Sequence, residues 1–153
     1  MKKTLLAMTL GFAAISASAA SPFLEFQPLQ AGNHDFTAFN IQGGIMADIH
    51  PNFDLGVGIG FTERYNFNTG PMFPVFARAQ FAGSVEGLNP FVSFDFGYEI
   101  NTEKISCGAI LVNPMVGLKF GRLYGGVGYV GHCWTPKSAG TTSAFNIKIG
   151  YKF

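Results

Sequence analysis

At 153 residues, with Lys+Arg 10 against Asp+Glu 9 and a formal net charge of +1, the chain has the length of one domain. It carries no charge excess to draw nucleic acid or a cationic partner. Charged residues make up 12% where about 25% is ordinary, and aromatic residues reach 15%, with Gly 20 and Phe 17. Such a surface suits water poorly.

Residues 1–20 have the layout of a secretory signal peptide. Lys2 and Lys3 form a charged start, Leu5 to Ile15 an apolar stretch, and Ala17-Ser18-Ala19 a small-residue cleavage site. The apolar run is shorter than the roughly 18 residues that a spanning helix needs. The first cysteine is Cys107, so no thiol stands at the cleavage site to carry a lipid. The mature chain is expected to begin near Ala20 or Ser21, leaving residues 21–153 as one domain.

Beyond residue 20 no apolar run approaches helix-spanning length, and the sequence instead alternates in about eight segments of strand length. The first, Phe23 to Leu29, sets Leu24, Phe26 and Pro28 against Glu25 and Gln27, with the proline awkward for a paired strand. The second, about Phe36 to Ile49, sets Phe39, Ile41, Ile45, Ala47 and Ile49 against Asn40, Gln42, Gly44, Met46 and Asp48, and turns at His50-Pro51-Asn52. The third is strictly periodic: Phe53, Leu55, Val57, Ile59 and Phe61 face away from Asp54, Gly56, Gly58, Gly60 and Thr62. The fourth opposes Phe73, Val75, Ala77, Ala79 and Phe81 to Phe76, Arg78 and Gln80. The fifth opposes Val92, Phe94, Phe96, Tyr98 and Ile100 to Ser93, Asp95, Gly97 and Glu99.

The sixth sets Ile110, Val112, Val116, Leu118 and Phe120 against Asn113, Met115, Gly117 and Lys119, and Gly121-Arg122 closes a tight hairpin. The seventh carries Leu123, Val127 and Tyr129 opposite Tyr124, Gly126 and Gly128. The eighth carries Phe145, Ile147, Ile149, Tyr151 and Phe153 opposite Asn146, Lys148, Gly150 and Lys152. An even count puts both termini at one end, with the short turns at Gly121-Arg122 and His50-Pro51-Asn52. Glu63 to Pro71, Asn101 to Ser106 and His132 to Thr142 then connect strands at the other end, and only Gly83 to Asn89 is long for its side.

Alternation alone does not say which face points outward, since a soluble barrel would bury its apolar face. The phenylalanines decide it. Phe53 and Phe61, Phe73 and Phe81, and Phe145 and Phe153 each stand at the two ends of one apolar face. At about 3.3 Å per residue and a tilt near 40°, that spacing projects to roughly 20 Å, close to the apolar band of a membrane barrel. The opposite face carries Glu25, Asp48, Asp54, Arg78, Asp95, Glu99, Lys119, Lys148 and Lys152. An eight-strand bore is only wide enough for side chains to fill, so these charges are expected to pair as a luminal plug. The expected fold is therefore all-β: an antiparallel up-and-down transmembrane β-barrel of about eight strands.

With these features the chain resembles the small outer-membrane barrels of the OmpA transmembrane-domain and OmpX-like superfamily, over essentially all of residues 21–153. The ending Asn146-Ile147-Lys148-Ile149-Gly150-Tyr151-Lys152-Phe153 is similar to that superfamily's assembly signal, with Tyr151 and the terminal Phe153 as its aromatic positions. Lys148 stands where the pattern usually has glycine. The resemblance implies an outer-membrane location, contact with outer-membrane lipid and lipopolysaccharide, recognition by the barrel-assembly machinery, and a monomer.

Four features invite a chemical reading. Gly126-Val127-Gly128-Tyr129-Val130-Gly131 matches the dinucleotide fingerprint by letter but lies inside a strand, where no helix N-terminus meets a pyrophosphate. These glycines, like Gly56, Gly58 and Gly60, are expected to keep the luminal side thin so that larger side chains opposite fit. Cys107 and Cys133 fall in an exported chain, where an oxidising compartment favours a disulfide. The Gly121-Arg122 hairpin puts Cys133 opposite Ile110, so a bridge requires the strand to end or bulge before Cys107; two isolated cysteines are the alternative. His132 is similar to the histidine of barrels that deacylate lipid A, yet Trp134 occupies the place of the serine and segment eight offers Ser143 and Asn146 without an acid. An interfacial loop histidine beside a girdle tryptophan is the expectation. The reading is a non-enzymatic structural or surface-interaction barrel without cofactor or metal; the alternatives are a lipid A-modifying enzyme and a narrow channel.

Overall fold

The computed structural model describes residues 20–31, 36–63, 71–102, 108–135 and 141–153. Eight strands form a closed, all-antiparallel barrel in which each strand pairs with its sequence neighbour and the last returns to the first. They are β1 (Ala20–Ala31), β2 (Phe36–His50), β3 (Phe53–Thr62), β4 (Met72–Ala82), β5 (Asn89–Asn101), β6 (Gly108–Phe120), β7 (Leu123–Thr135) and β8 (Thr141–Lys152). Closure leaves no strand edge unpaired. Ala20 and Phe153 lie at the end of the barrel that holds the short β2–β3, β4–β5 and β6–β7 connections, the turn end; the opposite ends of the strands make up the loop end.

The period of two does most of the work. On β5, Val92, Phe94, Phe96, Tyr98 and Ile100 are exposed on the outer wall while Ser93, Asp95 and Glu99 are buried in the bore. The same parity runs through β3, β4 and β8, so the apolar face is outside and the polar face inside. A soluble barrel has the reverse arrangement.

Luminal glycines make room for luminal rings. A Cβ on Gly58 would stand 2.4 Å from the Phe76 ring, and one on Gly150 would stand 2.3 Å from the Tyr124 ring. Around these rings the bore packs two apolar clusters, one including Phe23, Met46, Phe76, Leu111 and Trp134, the other Phe91, Met115 and Tyr124.

Of the five prolines within strands, Pro22 and Pro90 stand near a strand start, and Pro28, Pro74 and Pro114 lie in the interior, where each interrupts one ladder only. Pairing of β1 with β8 skips Gln27 and Pro28, that of β3 with β4 skips Pro74, and that of β6 with β7 skips Pro114. Each proline keeps its partner on the other side: Phe39, Glu99 and Phe94 respectively. A missing N–H removes one rung, and the opposite ladder holds the strand in place. This is why β1 is a full strand from Ala20 to Ala31 despite Pro28, longer than the Phe23 to Leu29 read from alternation.

The β4–β5 connection, long for its end, proves to be a miniature hairpin. Val85 and Leu88 bridge each other around Glu86 (φ 50°) and Gly87 (φ 85°), and the Gly83 N–H donates to the Pro90 carbonyl at 2.8 Å. Two consecutive left-handed residues are the signature of a tight primed turn. A bulge between Asp48 and His50 marks the end of the β2–β3 ladder.

Candidate functional site

The bore is the chemically distinctive part of the molecule, and its charges form three tiers. At the centre, Arg78 on β4 and Asp95 on β5 are direct cross-strand partners. Arg78 Nε donates to Asp95 Oδ1 at 2.5 Å and Nη2 to Oδ2 at 2.8 Å. The same guanidinium reaches Glu25 on β1 through Nη1–Oε1 and through Nη2–Oε2 at 2.8 Å. Lys148 on β8 stands 3.3 Å from Glu25 Oε2 and 3.4 Å from Asp95 Oδ2. All four side chains are fully buried, and their formal charges cancel.

Neutral groups complete the coordination. The Tyr124 hydroxyl donates to Glu25 Oε1 at 2.6 Å, Gln27 Nε2 to Glu25 Oε2 at 3.2 Å, and Asn113 Nδ2 to Asp95 Oδ2 at 3.5 Å. Gln27 also bonds Gln42, and Asn146 bonds both Gln27 and Asn113. The faces of Phe23 and Phe76 lie 4.8 and 5.3 Å from the guanidinium carbon. Buried charges persist only when paired and hydrogen-bonded, and here every one is.

Toward the turn end, Asp54 accepts from Lys119 and Gln80, both at 3.2 Å, with Lys152 at 3.9 Å. Lys152 reaches Asp48 at 2.5 Å. Asp48 is the cross-strand partner of Asp54 and so shares its face, but it lies at the mouth, where the bulge ends the β2 ladder and its side chain is 54% exposed. A pocket of about 160 Å³ between this tier and the central one is lined by Phe23, Met46, Gln80, Lys119, Tyr124 and Lys152, among others.

Toward the loop end, His132 on β7 and Glu99 on β5 are both buried, with Nε2–Oε2 at 2.9 Å, and Thr62 Oγ1 donates to Glu99 Oε1 at 3.4 Å. Trp134 lies 5.9 Å from the His132 ring, and its Nε1 donates to Thr142 Oγ1 at 2.8 Å. Two sequence expectations are corrected here. His132 is not in a loop, since β7 continues to Thr135, and Trp134 is not a girdle residue but is buried inside the barrel. The histidine also has an acid, supplied by β5 rather than by segment eight. The signal was present in the parity of β7: Tyr124, Gly126 and Gly128 face inward, so His132 and Trp134 do too.

The remaining sequence-singled residues lie on the wall or outside the described part. Cys133 is exposed on the outer wall opposite Ile110; Cys107 lies outside the described residues. Ser143 faces outward and bonds the Tyr129 hydroxyl, whereas its neighbour in the strand, Thr142, pairs with His132. Tyr151 and Phe153 point outward with ring centroids 5.1 Å apart, and the Phe153 N–H donates to the Pro22 carbonyl at 2.9 Å. Among the described residues, no group of three His, Cys, Asp or Glu side chains is placed to hold a metal ion.

No protein-family model matches this sequence, and no curated protein matches it. Solved structures do. The N-terminal β-barrel domain of OprF from Pseudomonas aeruginosa is similar with a TM-score of 0.56 at 15% identity, over 88% of this chain and 96% of that one. A de novo designed transmembrane β-barrel is similar with a TM-score of 0.51 at 17% identity, over 88% and 94%. Neisserial surface protein A (NspA) has a TM-score of 0.50 at 10% identity, over 88% and 96%. At these identities the likeness is one of fold: the closed eight-strand antiparallel barrel of small membrane barrels.

Proposed function

We propose that this chain is an exported, integral outer-membrane protein whose barrel is a sealed, non-enzymatic scaffold, presenting its loop end to ligands or neighbouring surfaces. The observation that carries the reading is the pairing of an apolar outer wall with a bore closed by the Arg78, Glu25, Asp95 and Lys148 cluster. Residues 1–20 act as the signal peptide, the turn end is periplasmic, and the outer wall meets membrane lipid and lipopolysaccharide. Tyr151 and Phe153 serve as the signal to the assembly machinery, and the barrel works as a monomer.

The enzyme alternative is weakened by direction. A lipid A acyl ester lies outside the barrel, whereas His132 is 1% exposed and faces the bore. Ser143, the serine that segment eight offers, faces the other side of the wall, so it and His132 cannot act as nucleophile and base on one ester. The channel alternative is weakened by the cluster itself, which fills the bore at its centre. Lipid A from cells expressing the wild-type protein and His132→Ala is expected to have the same acyl pattern as lipid A from cells lacking it. Loss of an acyl chain with the wild type and its return with His132→Ala would overturn the non-enzymatic reading.

A further inference from the structure

On the outer wall at the turn end, strands β4 to β7 leave an apolar groove of about 720 Å³. Its floor is the cross-strand row Pro90, Leu118 and Gly125, and the row of Phe81, Val92 and Val116 forms one rim. Gly125 gives the groove its depth, and packing does not require a glycine there. A Cβ on Gly125 would meet only the Lys148 carbonyl, at 3.4 Å, whereas one on the luminal Gly126 would collide with the Val116 carbonyl at 2.5 Å.

The turn Gly121-Arg122 follows directly on Phe120, which also lines the groove, and leads into β7 three residues before Gly125. Arg122 is exposed. Of the arginines and lysines among the described residues, Arg78, Lys119, Lys148 and Lys152 each contact a carboxylate, and Arg122 alone does not. An exposed arginine without a carboxylate partner, in the turn that follows the groove-lining Phe120, matches an amphiphile with an anionic head and a hydrocarbon tail.

We infer that this groove binds one glycerophospholipid, with an acyl chain over Gly125 and the phosphate against Arg122. The inference rests on the reading of the outer wall as lipid-facing. A tail in the groove restores the dispersion contacts that its walls otherwise lack, and a guanidinium suits a phosphate because two N–H groups donate to two oxygens at once.

The test is native mass spectrometry of the detergent-folded, full-length barrel titrated with phosphatidylethanolamine. The wild type is expected to retain one lipid, and Arg122→Gln and Gly125→Leu each to weaken retention about tenfold, the effect of losing one charge-assisted contact or the tail site. Gly43→Leu, at an outward glycine in a separate groove where a Cβ has 3.5 Å of clearance, is expected to leave retention unchanged. Diacylglycerol with the same chains should bind like phosphatidylethanolamine to Arg122→Gln. Equal retention in all four proteins, or an equal loss with Gly43→Leu, would overturn the site, and diacylglycerol retained by the wild type as tightly as phosphatidylethanolamine would overturn the phosphate contact. Heat-shifted gel mobility of each variant reports the barrel separately. A wild-type protein that shows no such shift defeats the membrane reading itself; a normal shift without retained lipid defeats only the groove. Should Gly125→Leu not fold, Arg122→Gln decides, since its side chain leaves the packed wall untouched.

Discussion

Arg78 on β4 and Glu25 on β1 meet across the bore through both terminal nitrogens of the guanidinium, while the third nitrogen holds Asp95 on the adjacent strand. One side chain thereby ties the first strand to the middle of the sheet. Removing it leaves two buried carboxylates with Lys148 as their one cation. Arg78→Leu is expected to cost about 3–5 kcal/mol, the penalty for breaking a buried pair. Arg78→Lys should recover part of this, because it restores charge without the planar fork. Urea unfolding of the lipid-folded barrel measures both, and a harmless Arg78→Leu would show that the cluster contributes nothing to stability.

The same cluster bears on conduction. With Arg78, Glu25, Asp95 and Lys148 filling the bore, the pure wild-type protein is expected to give no steady single-channel steps in planar bilayers. Defined, reproducible steps would mean that the cluster opens under those conditions and that the sealed-scaffold reading is wrong.

Closure predicts a gel behaviour. A barrel with every strand edge paired, β1 to β8 included, should resist detergent until boiled and migrate differently with and without heating. Identical mobility would count against a closed barrel in the membrane.

How much of this was legible in the sequence depended on range. β3, with apolar and small or polar residues in strict alternation from Phe53 to Thr62, declared its length, its faces and its turn at His50-Pro51-Asn52. β1 did not, because Pro28 looks local while its tolerance is a property of the β2 ladder that holds it. The opposition of Cys133 and Ile110 followed from the Gly121-Arg122 turn by counting, since a two-residue hairpin fixes register. Which acid Arg78 would choose did not follow. Asp95 is its direct cross-strand neighbour, but Glu25 meets it across the lumen, and that contact depends on closure and stagger of the whole barrel. His132 and Trp134 look like loop residues in the sequence because the alternation of apolar residues fades after Tyr129, while β7 continues to Thr135.

Trp134 now makes its own prediction, and as the chain's single tryptophan it gives an unmixed signal. Its indole is buried in the bore with Nε1 bonded to Thr142, so emission should be blue-shifted and lost on unfolding. Lipids brominated along the acyl chain should quench it weakly, because the barrel wall stands between ring and hydrocarbon. A girdle tryptophan would be quenched strongly, and that result would place Trp134 on the wrong face.

The outer and luminal faces of β3 can be told apart by three substitutions. Val57 lies midway between Phe53 and Phe61 on the outer wall, so Val57→Arg should cost about 2–4 kcal/mol where the charge meets hydrocarbon at mid-bilayer depth. Phe53→Arg, at the turn end, should cost less, since its guanidinium reaches the headgroups. Parity alone would make Gly56→Ser a mild luminal control, but packing argues otherwise: a Cβ there would stand 2.7 Å from the Ile45 carbonyl and 2.8 Å from Met46 Cγ. Met46 can shift, whereas the carbonyl belongs to the neighbouring strand, so Gly56→Ser should cost about 1–3 kcal/mol as an overpacked site. The two costs differ in origin, and lipid separates them. Moving from a thick to a thin bilayer brings headgroups nearer to position 57 and should soften Val57→Arg, while leaving Gly56→Ser unchanged. Reversible unfolding of the three variants in vesicles of two chain lengths gives the answer, and a Val57→Arg cost no greater than that of Phe53→Arg would mean that the lipid-facing side of β3 has been misassigned.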